Sequence, residues 1–208
     1  MQYISTRNSS LRKSFSEVLL GGLAPDGGLF MPLDNRRFTN EELEDLSSLN
    51  YQELTAEILH QFVSEEINKS DFEYIVNDAY QAFENKDVVN LIKLEDQRWI
   101  LELFHGPTLA FKDVAMQLLG TLLNHFAQKQ ETKIAVLGAT SGDTGSAAIS
   151  ACSRYKNVEV FILYPHERVT EIQRKQMTTT QAKNVHALSV QTDFDGGAVP
   201  LVGVRMPF

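Results

Sequence analysis

The feature that most limits the fold of this chain is a train of short apolar runs, each followed by a helical pattern, that begins near residue 99. Trp99–Phe104 and Ile134–Leu137 read as strands. Val158–Tyr164 is a continuous apolar run of the kind a parallel sheet buries on both faces. His186–Val190 reads as a further strand. Helical stretches lie between them at about 112–130, through Ala147, Ala148 and Ala151, and near 169–182. On the first of these, Ala115, Leu118, Leu119, Leu122 and Phe126 are expected to form the buried side. Strands alternating with helices predict an α/β fold with an open, mostly parallel sheet flanked by helices.

The chain before this train is different. Residues 1–95 read as a mostly helical, partly irregular N-terminal domain, with 96–195 as the α/β domain. The run at 22–32 holds Pro25, Asp26, Gly27 and Gly28, which favour turns. Thr39 with Glu42 makes a capping-box pattern ahead of Leu43, Leu46 and Leu49. A second helix is expected to carry Leu54, Ile58, Leu59 and Phe62 on one face. Ser70 with Glu73 repeats the box, ahead of a stripe of Phe72, Ile75, Val76, Ala79 and Phe83. These stripes are read as core.

Composition narrows the function classes. The formal net charge is −8 and no basic run is present, so neither a nucleic-acid face nor an anionic membrane surface is expected. No stretch approaches the roughly 18 apolar residues of a membrane span. The start of the chain lacks a secretory apolar run, and Cys152 is the sole cysteine, which excludes an internal disulfide. A reduced, cytoplasmic protein with no metal site is expected.

Two motifs carry chemistry. The first is His105-Gly106-Pro107-Thr108-Leu109-Ala110-Phe111-Lys112-Asp113, a turn that delivers a lysine to the mouth of a helix. Apolar Leu109, Ala110 and Phe111 could desolvate the ammonium, which favours the neutral amine and Schiff-base chemistry with an aldehyde. The plain alternative is a solvated lysine at a helix start. The second motif is Thr140-Ser141-Gly142-Asp143-Thr144-Gly145, between a strand and a helix. Glycines there let several N–H groups face one point beside the positive end of the helix dipole, which suits a carboxylate or phosphate. A capped strand-to-helix turn with no ligand is the alternative. Neither the Walker ending nor a G-x-G-x-x-G fingerprint is present.

Taken together, the two motifs resemble those of fold type II pyridoxal-phosphate enzymes and, within them, the threonine synthases. Gly27-Gly28-Leu29-Phe30-Met31-Pro32 and Ile162-Leu163-Tyr164-Pro165 extend the likeness in family order to about residue 195. The resemblance implies pyridoxal 5'-phosphate as cofactor and the conversion of O-phosphohomoserine and water to threonine and phosphate. It implies that Lys112 holds the cofactor and then moves protons. Ser141, Gly142, Asp143, Thr144 and Gly145, with Thr140, match the loop that binds the substrate carboxylate. Thr108 and Asp143 are implied near the cofactor, and His105 is given a structural role in the lysine loop. A related phosphorylated amino substrate, or an inactive fragment, are the other readings.

The chain also departs from the family, whose members are longer and draw a second glycine-rich loop from their C-terminal half. Thr192–Asp195 reads as a helix start, yet residues 196–208 hold three glycines and two prolines and no amphipathic period. This tail is expected to be foreign to the family, as a frameshift would make it, and a chain so shortened is expected to show little catalysis. Nothing in the sequence sets the oligomeric state.

Overall fold

The computed structural model describes residues 1–34, 36–191 and 202–205. The chain forms two compact units, Met1–Asp78 and Ala79–Phe208.

The first unit contains three short strands, β1 (Tyr3–Ser5), β2 (Arg12–Lys13) and β3 (Phe30–Pro32), with β1 between the other two and antiparallel to both. Between β2 and β3 lies α1 (Phe15–Gly21), and the unit continues with α2 (Asn40–Leu46), α3 (Tyr51–Val63) and most of α4 (Lys69–Tyr80). Of the run read as a turn-rich loop, 22–29 is the expected turn, while Phe30–Pro32 pairs with β1 as a strand. Gly27 sits at φ +75°, and the Asp26 carboxylate accepts from Ser5 Oγ at 2.8 Å and from the Gly28 N–H at 2.9 Å.

Helix starts here follow local polar chemistry. Thr39 and Glu42 form the expected capping box, since Thr39 Oγ1 accepts the Glu42 N–H at 3.2 Å and the Glu42 carboxylate accepts the Thr39 N–H at 2.8 Å. The same box opens α1 from Ser14 and α3 from Asn50. At α4 the sequence reading needs correction. Asn68 caps the helix by accepting the Asp71 N–H at 2.9 Å, while Ser70 Oγ donates to Asn68 Oδ1. The two residues are comparable as caps, and because the helix already starts at Lys69, Asn68 stands at the cap position and Ser70 inside the first turn. Phe72, Ile75, Val76, Ala79 and Phe83 are buried as expected, but Leu43 is exposed although Leu46 is buried. A two-turn helix needs only one such anchor.

The second unit opens with a hairpin, β4 (Asn90–Glu95) against β5 (Arg98–Glu102). Strand β4 lies within the segment read as helical or irregular. Its side chains and those of β5, Leu91, Ile92, Leu94, Trp99, Ile100 and Leu101 among them, are exposed. Then follow α5 (Lys112–Lys129), β6 (Ile134–Ala139), α6 (Asp143–Cys152), β7 (Val158–Pro165), α7 (Glu171–Thr178) and β8 (Val185–Val190). Strands β6, β7 and β8 are parallel, in the order β8-β7-β6. Strand β9 (Val202–Arg205) adds to β6 antiparallel. The α/β architecture with a mostly parallel sheet is thus the observed one. Residues 192–201 and 206–208, on which the helix start and most of the expected foreign tail fall, lie outside the described residues.

The core of this unit is the sheet face that carries Val158, Val160 and Ile162, together with Leu118, Leu122 and Phe126 of α5 and Ala147, Ala148 and Ala151 of α6. Each large apolar side chain buried here stabilises the fold by about 1.5–3 kcal/mol. Helices α5 and α6 approach closely because residue 120 is glycine: a Cβ there would lie 2.7 Å from the Ala151 carbonyl oxygen. That crossing buries Gly120 and turns Ala115 outward, against expectation. The sheet is also less two-sided than its apolar run suggests. Residues of β7 alternate between buried and half-buried, and Phe161 stacks on His186 of β8 at 4.5 Å between ring centroids. Among the described residues, no helix is long and apolar enough to cross a membrane.

Candidate active site

Lys112 is the first residue of α5, and the loop that delivers it is folded around the next residue. Asp113 is fully buried, with one carboxylate oxygen accepting the Thr108 N–H and the other accepting Thr108 Oγ1, both at 2.8 Å. Burial pushes the Asp113 carboxyl above the usual aspartate range, opposed by the Thr108 hydrogen bonds and by backbone hydrogen bonds at Ala110 and Leu109. The carboxylate therefore acts as an internal mould for the loop. Two backbone features follow from it. Gly106 packs directly on Asp113, where a Cβ would meet the Asp113 Cβ at 2.5 Å. Leu109 takes a left-handed φ of +63°, with its N–H on the Gly106 carbonyl at 3.0 Å.

The apolar neighbours expected to wrap the lysine do not do so in this chain. Leu109 is 72% exposed and Phe111 61% exposed. The Lys112 ammonium lies over the Phe111 ring, 4.4 Å from its centroid, and is half-buried. Among the described residues it pairs with no carboxylate, so its amine remains available to a ligand. The turn at 106–109 lifts these apolar side chains outward, which periodicity does not reveal. His105 has the structural role expected of it: its Nε2 donates to the Glu102 carboxylate at 2.9 Å and ties the loop to the end of β5. That bond, with one from Asn90, holds the Glu102 carboxyl below its ordinary range.

The glycine loop follows β6. Thr140 continues the sheet through a bond from its N–H to the Leu163 carbonyl at 2.9 Å, and its side chain is 3% exposed. Its hydroxyl oxygen accepts the N–H groups of Gly142 and Gly145, each at 3.0 Å. Thr140 thus organises the turn from inside. Gly142 holds φ +145° and caps α6, a conformation only glycine adopts readily. Gly145 is buried, and a Cβ there would lie 2.5 Å from Thr140 Cγ2 and 2.9 Å from Met177 Sδ. Ser141 and Asp143 are exposed and Thr144 half-buried, at the N-terminus of α6. There a helix offers N–H groups that its own ladder does not use, with a partial positive charge behind them. Such a turn suits an anion, whether carboxylate or phosphate.

Residues outside both motifs also shape the site. Gln173 Nε2 donates to Asp143 Oδ1 at 2.7 Å, and Gln176 Nε2 donates to the Thr108 carbonyl at 3.1 Å. Both stand on α7. A sequence signal for them did exist, since glutamines three apart fall on one helix face, but their partners are 30 and 68 residues away. Cys152 is buried in α6, and burial pushes its thiol up to about 12, so it serves as core rather than as a nucleophile.

Residues 2–80 match the family model described as threonine synthase N terminus. Over 195 residues the chain is 48% identical to a threonine synthase of Pseudomonas aeruginosa, covering 94% of this chain and 42% of that protein. It is 41% identical to threonine synthase-like 2 of Xenopus laevis, again covering 94% of this chain and 42% of the relative. Among solved structures it is similar to the PLP-bound threonine synthase of Brucella melitensis. There the TM-score is 0.88 at 44% identity, over 94% of this chain and 42% of the other. The chain therefore spans about two fifths of the length of the relatives it matches. Its motifs, its fold and these likenesses agree that it is similar, over most of its length, to the N-terminal portion of threonine synthases.

Proposed function

We propose that this chain carries the cofactor lysine and the carboxylate loop of a threonine-synthase-type lyase. That enzyme converts O-phosphohomoserine and water to threonine and phosphate with pyridoxal 5'-phosphate, in the cytoplasm. The observation that carries this reading is the pairing of Lys112, half-buried and free of carboxylates among the described residues, with a glycine turn whose N–H donors open α6. The donor set fits the cofactor and substrate together: an amine for an aldehyde, and hydroxyls with backbone N–H groups for a carboxylate. The 48% identity to a threonine synthase over these residues supports it.

When bound, pyridoxal phosphate supplies an electron sink that makes successive deprotonations possible. The chain supplies the rest. Lys112 Nζ would bind the aldehyde covalently and, once released from it, move protons as general base and acid. Ser141, Asp143 and Thr144 would bind and orient the substrate carboxylate through hydroxyls and first-turn N–H groups, while Gly142 and Gly145, whose own N–H groups are held by Thr140, give the turn the shape that admits it. Thr140 contributes by shaping that turn, because its hydroxyl already serves two N–H groups within it. Thr108 and Asp143 would stand beside the cofactor.

A second reading, a phospho-lyase acting on a related phosphorylated amino compound, draws on the 41% identity to threonine synthase-like 2. The test is the absorbance of the cofactor-loaded chain on titration with O-phosphohomoserine and with a second phosphorylated amino alcohol. A saturable spectral change with O-phosphohomoserine, absent in Lys112→Ala, is expected. A response to the second compound alone would favour the second reading, and no response to either would remove both.

A further inference from the structure

Helix α7 touches both motif loops. The orientation of the Gln173 amide is set by its own helix, because its Oε1 accepts the Thr170 N–H at 3.1 Å and Thr170 Oγ1 at 3.0 Å. Its Nε2 is thereby turned to the Asp143 carboxylate, 2.7 Å away. The strained glycine beside it has the same origin: a Cβ on Gly142 would lie 2.4 Å from the Gln173 amide carbon. Three residues on, Gln176 holds the Thr108 carbonyl of the lysine loop at 3.1 Å, and buried Met177 packs against Gly145.

We propose that α7 is a shared brace that holds the lysine loop and the glycine loop in register, with Gln173 as the positioning residue for Asp143. An aspartate in the first turn of a helix tends to turn onto the first N–H groups, drawn there by the helix dipole. Those are the donors a substrate carboxylate needs. By donating to Asp143 Oδ1, Gln173 draws this carboxylate aside and keeps the donors for the ligand. Gln176 does the matching work on the Lys112 side through Thr108. The ligand half of this inference rests on the functional reading above; the brace itself rests on the hydrogen bonds alone.

The test uses isosteric variants of the 208-residue chain. Gln173→Glu keeps the capping box with Thr170, since glutamate serves that position equally well. It removes only the donor to Asp143 and sets two carboxylates against each other. Adding Asp143→Asn restores the hydrogen bond with its polarity reversed. Amide hydrogen exchange of residues 140–146 is expected to quicken roughly tenfold in Gln173→Glu, the effect of losing one charge-assisted hydrogen bond. It should return toward the wild-type rate in the reversed pair. Gln176→Glu should quicken residues 106–112 instead. Unchanged exchange in the single variants, or no recovery in the pair, overturns the brace. In the same preparations, O-phosphohomoserine should bind roughly tenfold more weakly to cofactor-loaded Gln173→Glu. Equal binding by both chains overturns the role assigned to Gln173. If the wild type binds none, the functional reading fails, while the exchange rates still decide the brace.

Discussion

The lysine loop and the glycine loop are built by opposite means. Residues 106–112 fold around a buried ionisable group, the Asp113 carboxyl, which gathers Thr108 by both its N–H and its hydroxyl. Residues 140–145 fold around a neutral hydroxyl, that of Thr140, and around glycines that leave room for Gln173 and Met177. A loop moulded on an ionisable group is answerable to pH and to one side chain. A loop moulded on space is answerable to volume. The difference suits their proposed tasks, because a buried carboxylate in the place of Thr140 would repel an anionic ligand at the glycine loop.

The comparison can be broken most sharply at the glycines. Gly106→Ala drives a Cβ into Asp113 and should cost about 3 kcal/mol in urea unfolding. Gly145→Ala meets the Thr140 methyl and the pliable Met177 sulfur and should cost about 2 kcal/mol. Equal tolerance of both would deny that Asp113 is the mould.

Charge and hydroxyl come next. Asp113→Asn keeps an acceptor for the Thr108 N–H but forces the Thr108 hydroxyl to change from donor to acceptor, and should cost about 1 kcal/mol. Because burial raises the Asp113 pKa, its contribution to stability is full below the ordinary aspartate value of about 3.9 and is lost as pH rises through the raised folded value. The gap between wild type and Asp113→Asn should therefore narrow as pH rises across that window. Thr140→Val strips an acceptor from two N–H groups and should cost about 1–2 kcal/mol, with no such narrowing. A flat profile for Asp113→Asn would remove the electrostatic half of the contrast.

The smallest effect concerns the first unit. Asn50→Ala should cost about 1 kcal/mol through its capping box, whereas Ser70→Ala should stay within about 0.5 kcal/mol, since Asn68 caps α4. Thermal unfolding distinguishes the two.

How much of this was legible in the sequence follows from the range of the forces involved. Strands β6, β7 and β8 and helix α5 were readable because apolar period is local, and so was the box at Thr39 and Glu42. The motif loops were readable through their likeness to a family. Burial of Asp113 was not, because a charged residue beside Lys112 at a helix start reads as solvated until the loop closes over it. Nor was the outward turn of Ala115, which depends on where α6 crosses at Gly120. Strand β4 mixes Leu91, Ile92 and Leu94 with Lys93 and Glu95, and only its pairing with β5 defines it. The brace from α7 escaped because its local trace, two glutamines three apart, does not name partners 30 and 68 residues away.

The central claim is that Lys112 is the lysine that holds the cofactor. It is tested most directly by borohydride reduction of the purified chain with pyridoxal phosphate, followed by peptide mass mapping. The account predicts one stoichiometric phosphopyridoxyl group, on the peptide that contains Lys112, and none there in Lys112→Ala. A label spread over surface lysines with Lys112 unmodified would contradict it.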